Sequence, residues 1–117
     1  MIRAIARKWA AALDSGEYEQ TTGQLRDANG FCCIGVLCNI HAQDNPELAA
    51  TQTDPHRYFG KGVHAPEEVM GWSGLKVAEG KLPVQIGGAR YLTYLNDRAG
   101  YTFPEIAKVI RKHWKEL

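Results

Sequence analysis

The chain has 117 residues and carries 14 basic against 13 acidic side chains, for a net charge of +1. This length predicts one domain, and the charge balance disfavours binding to a nucleic-acid duplex or attachment to an anionic membrane surface. No stretch approaches the roughly 20 apolar residues of a membrane span, and the N-terminal segment lacks the apolar block of a signal peptide. We therefore expect a cytoplasmic protein whose three cysteines are free thiols.

The first third of the chain predicts a helix and a hairpin. Apolar residues at helical spacing predict a helix over residues 2–14, and Ser15-Gly16 suits its end. The sequence Asp27-Ala28-Asn29-Gly30 is a strong turn signal, because Asn and Gly adopt positive φ at low cost. It predicts a hairpin in which residues 24–26 pair with residues 30–32.

The most apolar run of the chain, residues 31–40, contains all three cysteines. It predicts a buried central helix near residues 33–41, since it is apolar on nearly all sides. Residues 43–62 follow and are rich in Asp-Pro, Asn-Pro and Gly signals, which predicts a long loop. Loops of this length inside a compact domain are often functional.

The second half predicts shorter elements before a well-defined last helix. Pro66 begins a helix to about Trp72, residues 76–79 and 81–86 are candidate strands, and residues 91–95 form about one helical turn. The last helix begins with a capping box in the sequence Thr102-Phe103-Pro104-Glu105. Together these elements predict a single α+β domain over residues 1–117. A short hairpin or sheet should pack against the buried central helix, with the first and last helices flanking it.

A distinctive motif runs from Gly30 to Cys38, with the sequence Gly-Phe-Cys-Cys-Ile-Gly-Val-Leu-Cys. Further along the chain are Pro66-Glu67-Glu68-Val69, Trp72-Ser73-Gly74-Leu75, Leu95-Asn96-Asp97 and Thr102-Phe103-Pro104-Glu105-Ile106-Ala107. In this order the pieces resemble a set of small bacteriophage and prophage proteins. The resemblance implies a phage accessory protein inside a bacterial cell, where such proteins often bind and block a host factor, including a defence system.

The adjacent thiols of Cys32 and Cys33 admit two interpretations. A thiol at a helix N-terminus has a lowered pKa, and His64 as base with Asp97 or Asn96 as orienter would complete a small cysteine hydrolase. Apolar neighbours favour the other interpretation, in which the thiols pack as small hydrophobic groups and remain inert. We expect core packing, and the hydrolase is the alternative.

Neither a metal nor a cofactor is predicted. Cys33 and Cys38 lie five residues apart, about 140° around a helix, so they do not converge on one ion with His41. A structural zinc site needs four convergent ligands.

A polar and aromatic cluster follows Gly87-Gly88, where turn N–H groups could hold an anion. With the exposed aromatic ring expected at Trp72, it is the predicted site for a host protein or a small nucleotide-like ligand. Its members are Arg90, Tyr91, Thr93, Tyr94, Asn96 and Asp97. The same residues could instead close a turn and line the edge of the core. A further alternative is weak nucleic-acid binding by the basic face of the last helix, although no recognition helix can follow it.

Overall fold

A computed structural model describes residues 1–117. The predicted first helix is present as α1, Arg3–Asp14. Its buried face comprises Ala6, Trp9, Ala10 and Leu13, while its charged side chains lie on the exposed face. The helix ends at Ser15, and Gly16 follows with a φ of 75° that a side chain rarely adopts. The sequence-based prediction for this element is confirmed.

The central helix is α2, Cys33–Asp44, and eight of its residues are buried. At its N-terminus the Cys32 sulfur accepts a hydrogen bond from the Gly35 N–H at 3.4 Å. Trp9 Nε1 donates to the Cys33 carbonyl at 2.8 Å and so fixes α2 against α1. The prediction of a buried central helix is confirmed.

The hairpin predicted for residues 24–32 is only partly formed. Its turn is present, since the Asp27 N–H donates to the Gly30 carbonyl at 2.9 Å and the Cys32 N–H donates to the Leu25 carbonyl at 3.2 Å. No strand develops, because both backbone groups of Phe31 bond outside the hairpin. The Phe31 N–H donates to the Glu19 carbonyl at 2.9 Å, and the Phe31 carbonyl accepts the Thr21 N–H at 2.8 Å. The segment is therefore a loop with isolated bridges.

The predicted long loop contains α3, Pro46–Ala49, and a tight turn at Tyr58–Lys61. After it comes α4, Glu67–Ser73, which ends at Gly74 with a φ of 74°. The prediction of a helix over residues 66–72 is confirmed.

The sheet consists of two antiparallel strands, β1 (Lys81–Ile86) and β2 (Ala89–Tyr91). The turn between them is Gly87-Gly88, whose φ values of 54° and 78° match the two positive φ angles of a type I′ hairpin turn. The expectation of a strand at residues 76–79 is wrong. The Gly80 N–H instead closes a turn onto the Val77 carbonyl at 2.9 Å.

The last helices are α5, Leu92–Asp97, and α6, Phe103–His113. The capping box of α6 is present: the Glu105 N–H donates to Thr102 Oγ1 at 3.4 Å and the Thr102 N–H to Glu105 Oε1 at 3.0 Å. Helices α1 and α6 pack extensively against each other, whereas the sheet contacts α5. A core of 25 buried hydrophobic residues joins these elements, so the α+β class is confirmed.

Candidate functional site

A pocket of about 200 Å³ opens between α2, the turn at residues 25–31 and the segment 49–58. Its floor is one stripe of α2, with residues at helical spacings of three and four. These residues are Gly35, Cys38, Asn39 and Ala42. The volume is below the range of about 300–1,000 Å³ that is typical for drug-sized ligands, so the pocket suits a smaller group or one end of a larger partner.

One wall of the pocket is aromatic and is held rigidly. Phe31 packs edge-on against Tyr18, with ring centres 5.1 Å apart. The Tyr18 hydroxyl accepts a hydrogen bond of 2.6 Å from Asn39 Nδ2 on the floor of the pocket. The guanidinium of Arg26 lies 4.9 Å from the centre of the Phe31 ring. This wall therefore presents a flat apolar surface with a cation on it.

The opposite wall is tied to α2 through Tyr58. Its hydroxyl lies 2.6 Å from His41 Nδ1, and the two rings pack edge-on at 5.5 Å. Burial lowers the pKa of His41 and raises the pKa of Tyr58 to about 12, so both are neutral at neutral pH. Phe59 and Trp72 also pack edge-on against His41, at 6.0 and 5.1 Å. A neutral aromatic cluster thus holds this wall in place.

Phe59 adopts a φ of 48°, the one positive φ among the non-glycine residues of the chain. It occupies a tight turn in which Tyr58 and Lys61 exchange backbone hydrogen bonds of 2.9 and 3.0 Å. A bulky residue rarely adopts this conformation, and residues held this way cluster at functional sites. The Phe59 N–H donates to Gln52 Oε1 at 2.8 Å, which joins the strained turn to the pocket wall.

The charged side chains of the pocket are predominantly basic. Arg26 and Arg57 contribute two guanidinium groups, and His56 also lines the pocket. The one carboxylate is that of Asp54, whose Oδ1 accepts the His56 N–H at 2.8 Å and so closes a turn. Neither arginine forms an ion pair, because the two salt bridges of the molecule involve Lys8 and Arg111. The pocket therefore offers guanidinium donors to an anionic group.

The three thiols are buried, as the apolar interpretation of the sequence predicts. Burial raises the pKa of Cys32 to about 11 and raises the pKa values of Cys33 and Cys38 further. Raised pKa values keep the thiols protonated at neutral pH, and a protonated thiol is a poor nucleophile. At Cys32, desolvation therefore raises the thiol pKa by more than the helix N-terminus lowers it.

His64, the base of the alternative hydrolase, has an exposed side chain, and no hydrogen bond joins it to Cys32 or Cys33. The Cys33 sulfur instead lies 3.8 Å from the Leu92 carbonyl. No group of three or more His, Cys, Asp or Glu side chains converges in a way that could hold a metal ion. No helix combines the length and the apolar character that a membrane crossing requires.

Asn96, one of the predicted binding residues, has its side chain 3% exposed and fully engaged inside the protein. Its Oδ1 accepts hydrogen bonds from Gln20 Nε2 at 2.9 Å and from the Cys33 N–H at 3.3 Å. Its Nδ2 donates to the Thr21 carbonyl at 2.9 Å and to Asp97 Oδ1 at 2.8 Å. Asn96 therefore acts as an internal link between the loop at residues 17–31 and α5.

The other residues of the predicted cluster are distributed over β2 and α5. Arg90 and Tyr94 are exposed, whereas Tyr91, Thr93 and Asp97 are half-buried. Asp97 Oδ1 also accepts the Gly23 N–H at 3.1 Å. Trp72 is half-buried and belongs to the aromatic cluster around His41. This surface exposes Arg90 and Tyr94, but it forms none of the lining of the 200 Å³ pocket.

The sequence-based search missed Arg26, Phe31 and Arg57 as site residues. Their signal was weak, because all three lie in irregular segments that the fold brings together over α2. The available signal was the unusual length of the loop at residues 43–62, which also carries His56 and Arg57.

The comparison with protein families assigns nearly the whole chain. The family model for Domain of unknown function (DUF8296) matches residues 1–114. The chain belongs to the DUF8296 family. No curated protein and no solved structure matches it. The DUF8296 match includes both walls of the pocket and the buried thiols.

Proposed function

We propose that this protein is a non-enzymatic binding protein of phage type, which sequesters or inhibits a host factor inside the bacterial cell. The ligand is a small nucleotide-like molecule or an acidic side chain of a host protein. It binds in the pocket between α2 and the segment 49–58. The observation that carries the proposal is a concave site lined by Phe31 and by two arginines that form no ion pair, with the Arg26 guanidinium 4.9 Å from the Phe31 ring centre and Arg57 Nη1 donating only to the Gly60 carbonyl at 3.3 Å.

The chemistry of the lining favours this class of ligand. Arginine forks bind phosphate or carboxylate through paired hydrogen bonds. The Phe31 ring offers apolar contacts beside the Arg26 guanidinium, which lies 4.9 Å from the ring centre. Six of the 15 lining residues are hydrophobic, so this lining is more polar than that of a typical drug-sized pocket and suits a charged or polar group. Its volume of about 200 Å³ limits the bound portion to a small group.

Two further observations support binding over catalysis. The thiols are buried and have raised pKa values, and His64 is exposed with no hydrogen bond to them. The resemblance to phage and prophage proteins supports a host factor as the target, and defence systems are one class of such factors. The surface with Arg90 and Tyr94 would supply additional contacts to a protein partner.

Affinity capture from a bacterial lysate tests the proposal. Tagged wild-type protein and the double variant Arg26→Gln/Arg57→Gln are compared, with mass spectrometry of both bound proteins and bound nucleotides. We expect the wild type to retain a defined ligand that the double variant loses by at least about tenfold, because each lost charged hydrogen bond costs about 1.5–3 kcal/mol.

The matched control is Lys81→Gln/Arg98→Gln, which removes the same net charge from exposed positions outside the pocket. It should retain the ligand at the wild-type level. Identical sets of bound molecules in the wild type and in Arg26→Gln/Arg57→Gln would refute the pocket as the binding site.

A further inference from the structure

A second concavity, of about 320 Å³, lies between α1 and α6 on a different part of the surface. Five residues line it: Arg3, Ala6, Arg7, Arg111 and Trp114. None of them lines the pocket beside α2. We call this concavity the α1–α6 groove.

Two of the three arginines of the α1–α6 groove have no anionic partner. Arg3 and Arg7 are exposed and form none of the salt bridges of the molecule, whereas Arg111 pairs with Asp14. They lie four residues apart on α1, which places them on the same face about 6 Å apart along the helix axis. Like charges at this spacing repel each other and destabilise a helix. The arrangement is therefore unfavourable for the free protein.

The remaining lining of the α1–α6 groove adds donors and an aromatic surface. Arg111 has five N–H donors, so its pairing with Asp14 leaves some of them free for a ligand. The Trp114 ring is half-buried, and Lys115 Nζ lies 5.7 Å from the ring centre. Positive charge thus surrounds the groove on both helices. The near-neutral net charge of the whole chain makes this local excess a feature of the groove itself.

We propose that the α1–α6 groove is an anion-binding site for a phosphate-bearing ligand, independent of the proposed function. Guanidinium forks match the oxygen geometry of phosphate, and several of them converging on one concavity provide more charge than a single carboxylate needs. A ligand with two or more linked phosphates is therefore the best match. Free polyphosphate, a nucleotide and a single nucleic-acid strand all present this chemistry.

Titration calorimetry with three probes distinguishes these sources: inorganic pyrophosphate, ATP and an oligothymidylate. The protein variants are Arg3→Gln/Arg7→Gln and the charge-matched control Lys81→Gln/Arg98→Gln. We expect at least one probe to bind wild type and control equally, and the Arg3→Gln/Arg7→Gln variant to bind it at least about tenfold more weakly. The dissociation constant should rise with salt concentration, since exposed charges are screened.

Binding of all three probes identifies the linked phosphates as the recognised group, and binding of ATP alone identifies a nucleotide. Binding of the oligothymidylate alone identifies a strand. Because ATP could also bind in the pocket beside α2, the titrations are repeated in the Arg26→Gln/Arg57→Gln background, where Arg3→Gln/Arg7→Gln should still weaken binding at least about tenfold, so the groove and the pocket are tested separately. The proposal is overturned if no probe binds, or if Arg3→Gln/Arg7→Gln and the control lose the same affinity. Both arginines are exposed, so these variants should fold; unchanged thermal unfolding without ligand verifies this.

Discussion

At Gly35 the backbone of α2 touches the backbone of the preceding loop. A Cβ atom at this position would lie 1.7 Å from the Leu25 carbonyl oxygen, far inside van der Waals contact. The neighbouring atoms belong to the main chain, so no side chain can move aside. Glycine at position 35 therefore costs up to about 1 kcal/mol of helix propensity relative to alanine, but it permits close packing between α2 and the wall of the pocket.

We predict that Gly35→Ala lowers the free energy of unfolding by about 3 kcal/mol or more, because overpacking against a fixed backbone forces the loop away. Urea denaturation measures this change. The matched control is Gly71→Ala in α4, where a Cβ would meet nothing within 4 Å. That substitution should stabilise the protein by up to about 1 kcal/mol. Equal effects of the two substitutions would show that the contact with Leu25 is unimportant.

The sequence did not reveal the hydrogen-bond partners of Asn96. Its position before Asp97 predicted a turn or a ligand contact, and local chemistry supports both. Its actual partners, Gln20, Thr21 and Cys33, lie between 63 and 76 positions earlier in the chain. Such partners depend on how the helices pack, which no local pattern encodes.

Among the elements, the turn at Tyr58–Lys61 packs against a single buried histidine of α2. His41 is 2% exposed and lies among Tyr58, Phe59 and Trp72. Burial lowers its pKa, and the carboxylates of Glu68 and Asp44 only partly oppose this effect. The neutral ring is therefore the form that the folded segment accommodates.

We predict that the protein loses stability as the pH falls below the ordinary His pKa of 6.5. The unfolded chain binds the proton first, so the stabilisation is complete above pH 6.5 and declines as the pH approaches the lower pKa of folded His41. Thermal unfolding between about pH 8 and pH 5 measures this loss. His41→Gln should show a smaller pH dependence, at lower overall stability.

The control for His41 is His64→Gln, which removes an exposed histidine. It should leave the wild-type pH dependence unchanged. A pH dependence that is reduced equally in His64→Gln and His41→Gln would contradict the assignment to the buried ring.

Local chemistry predicted the helices with clear ends better than it predicted the strands. The capping box at Thr102 and Glu105 and the stop at Gly74 act within one turn, so the sequence reveals them directly. Strand pairing depends on distant partners. Phe31 bonds to Glu19 and Thr21 outside the predicted hairpin, and β1 pairs with β2 across the turn at Gly87-Gly88.

For the molecule as a whole, one continuous core encloses all three thiols. We predict that iodoacetamide modifies none of them quickly in the folded protein at neutral pH, whereas all three react in urea. Mass spectrometry over time measures the extent of alkylation. Rapid modification of Cys32 or Cys33 in the folded state would contradict the buried arrangement and favour the hydrolase.

The buried thiol of Cys32 also predicts that the stability of the protein depends on pH in the alkaline range. Because the pKa of Cys32 rises from 9.0 to about 11 on folding, the unfolded chain ionises first. The stabilisation is complete below about pH 9 and is lost as the pH rises toward 11.

The pocket beside α2 illustrates what only the whole molecule determines. Each of its walls comes from an irregular segment, and the stripe of α2 that joins them was predicted simply as buried. The length of the loop at residues 43–62 indicated a functional segment. Arg26 and Arg57 line one cavity only because both loops cross the same helix, and this crossing is a property of the tertiary fold.

The hydrogen bonds of Asn96 also constrain the order of events on the ribosome. Until α5 has left the exit tunnel, the Cys33 N–H and the Thr21 carbonyl have no counterpart for these bonds. The loop at residues 17–31 is therefore synthesised early, but it cannot form these hydrogen bonds until the last third of the polypeptide has been synthesised. A nascent chain arrested ahead of residue 96 would keep that loop accessible to proteases, while one arrested well beyond it would protect the same peptide bonds.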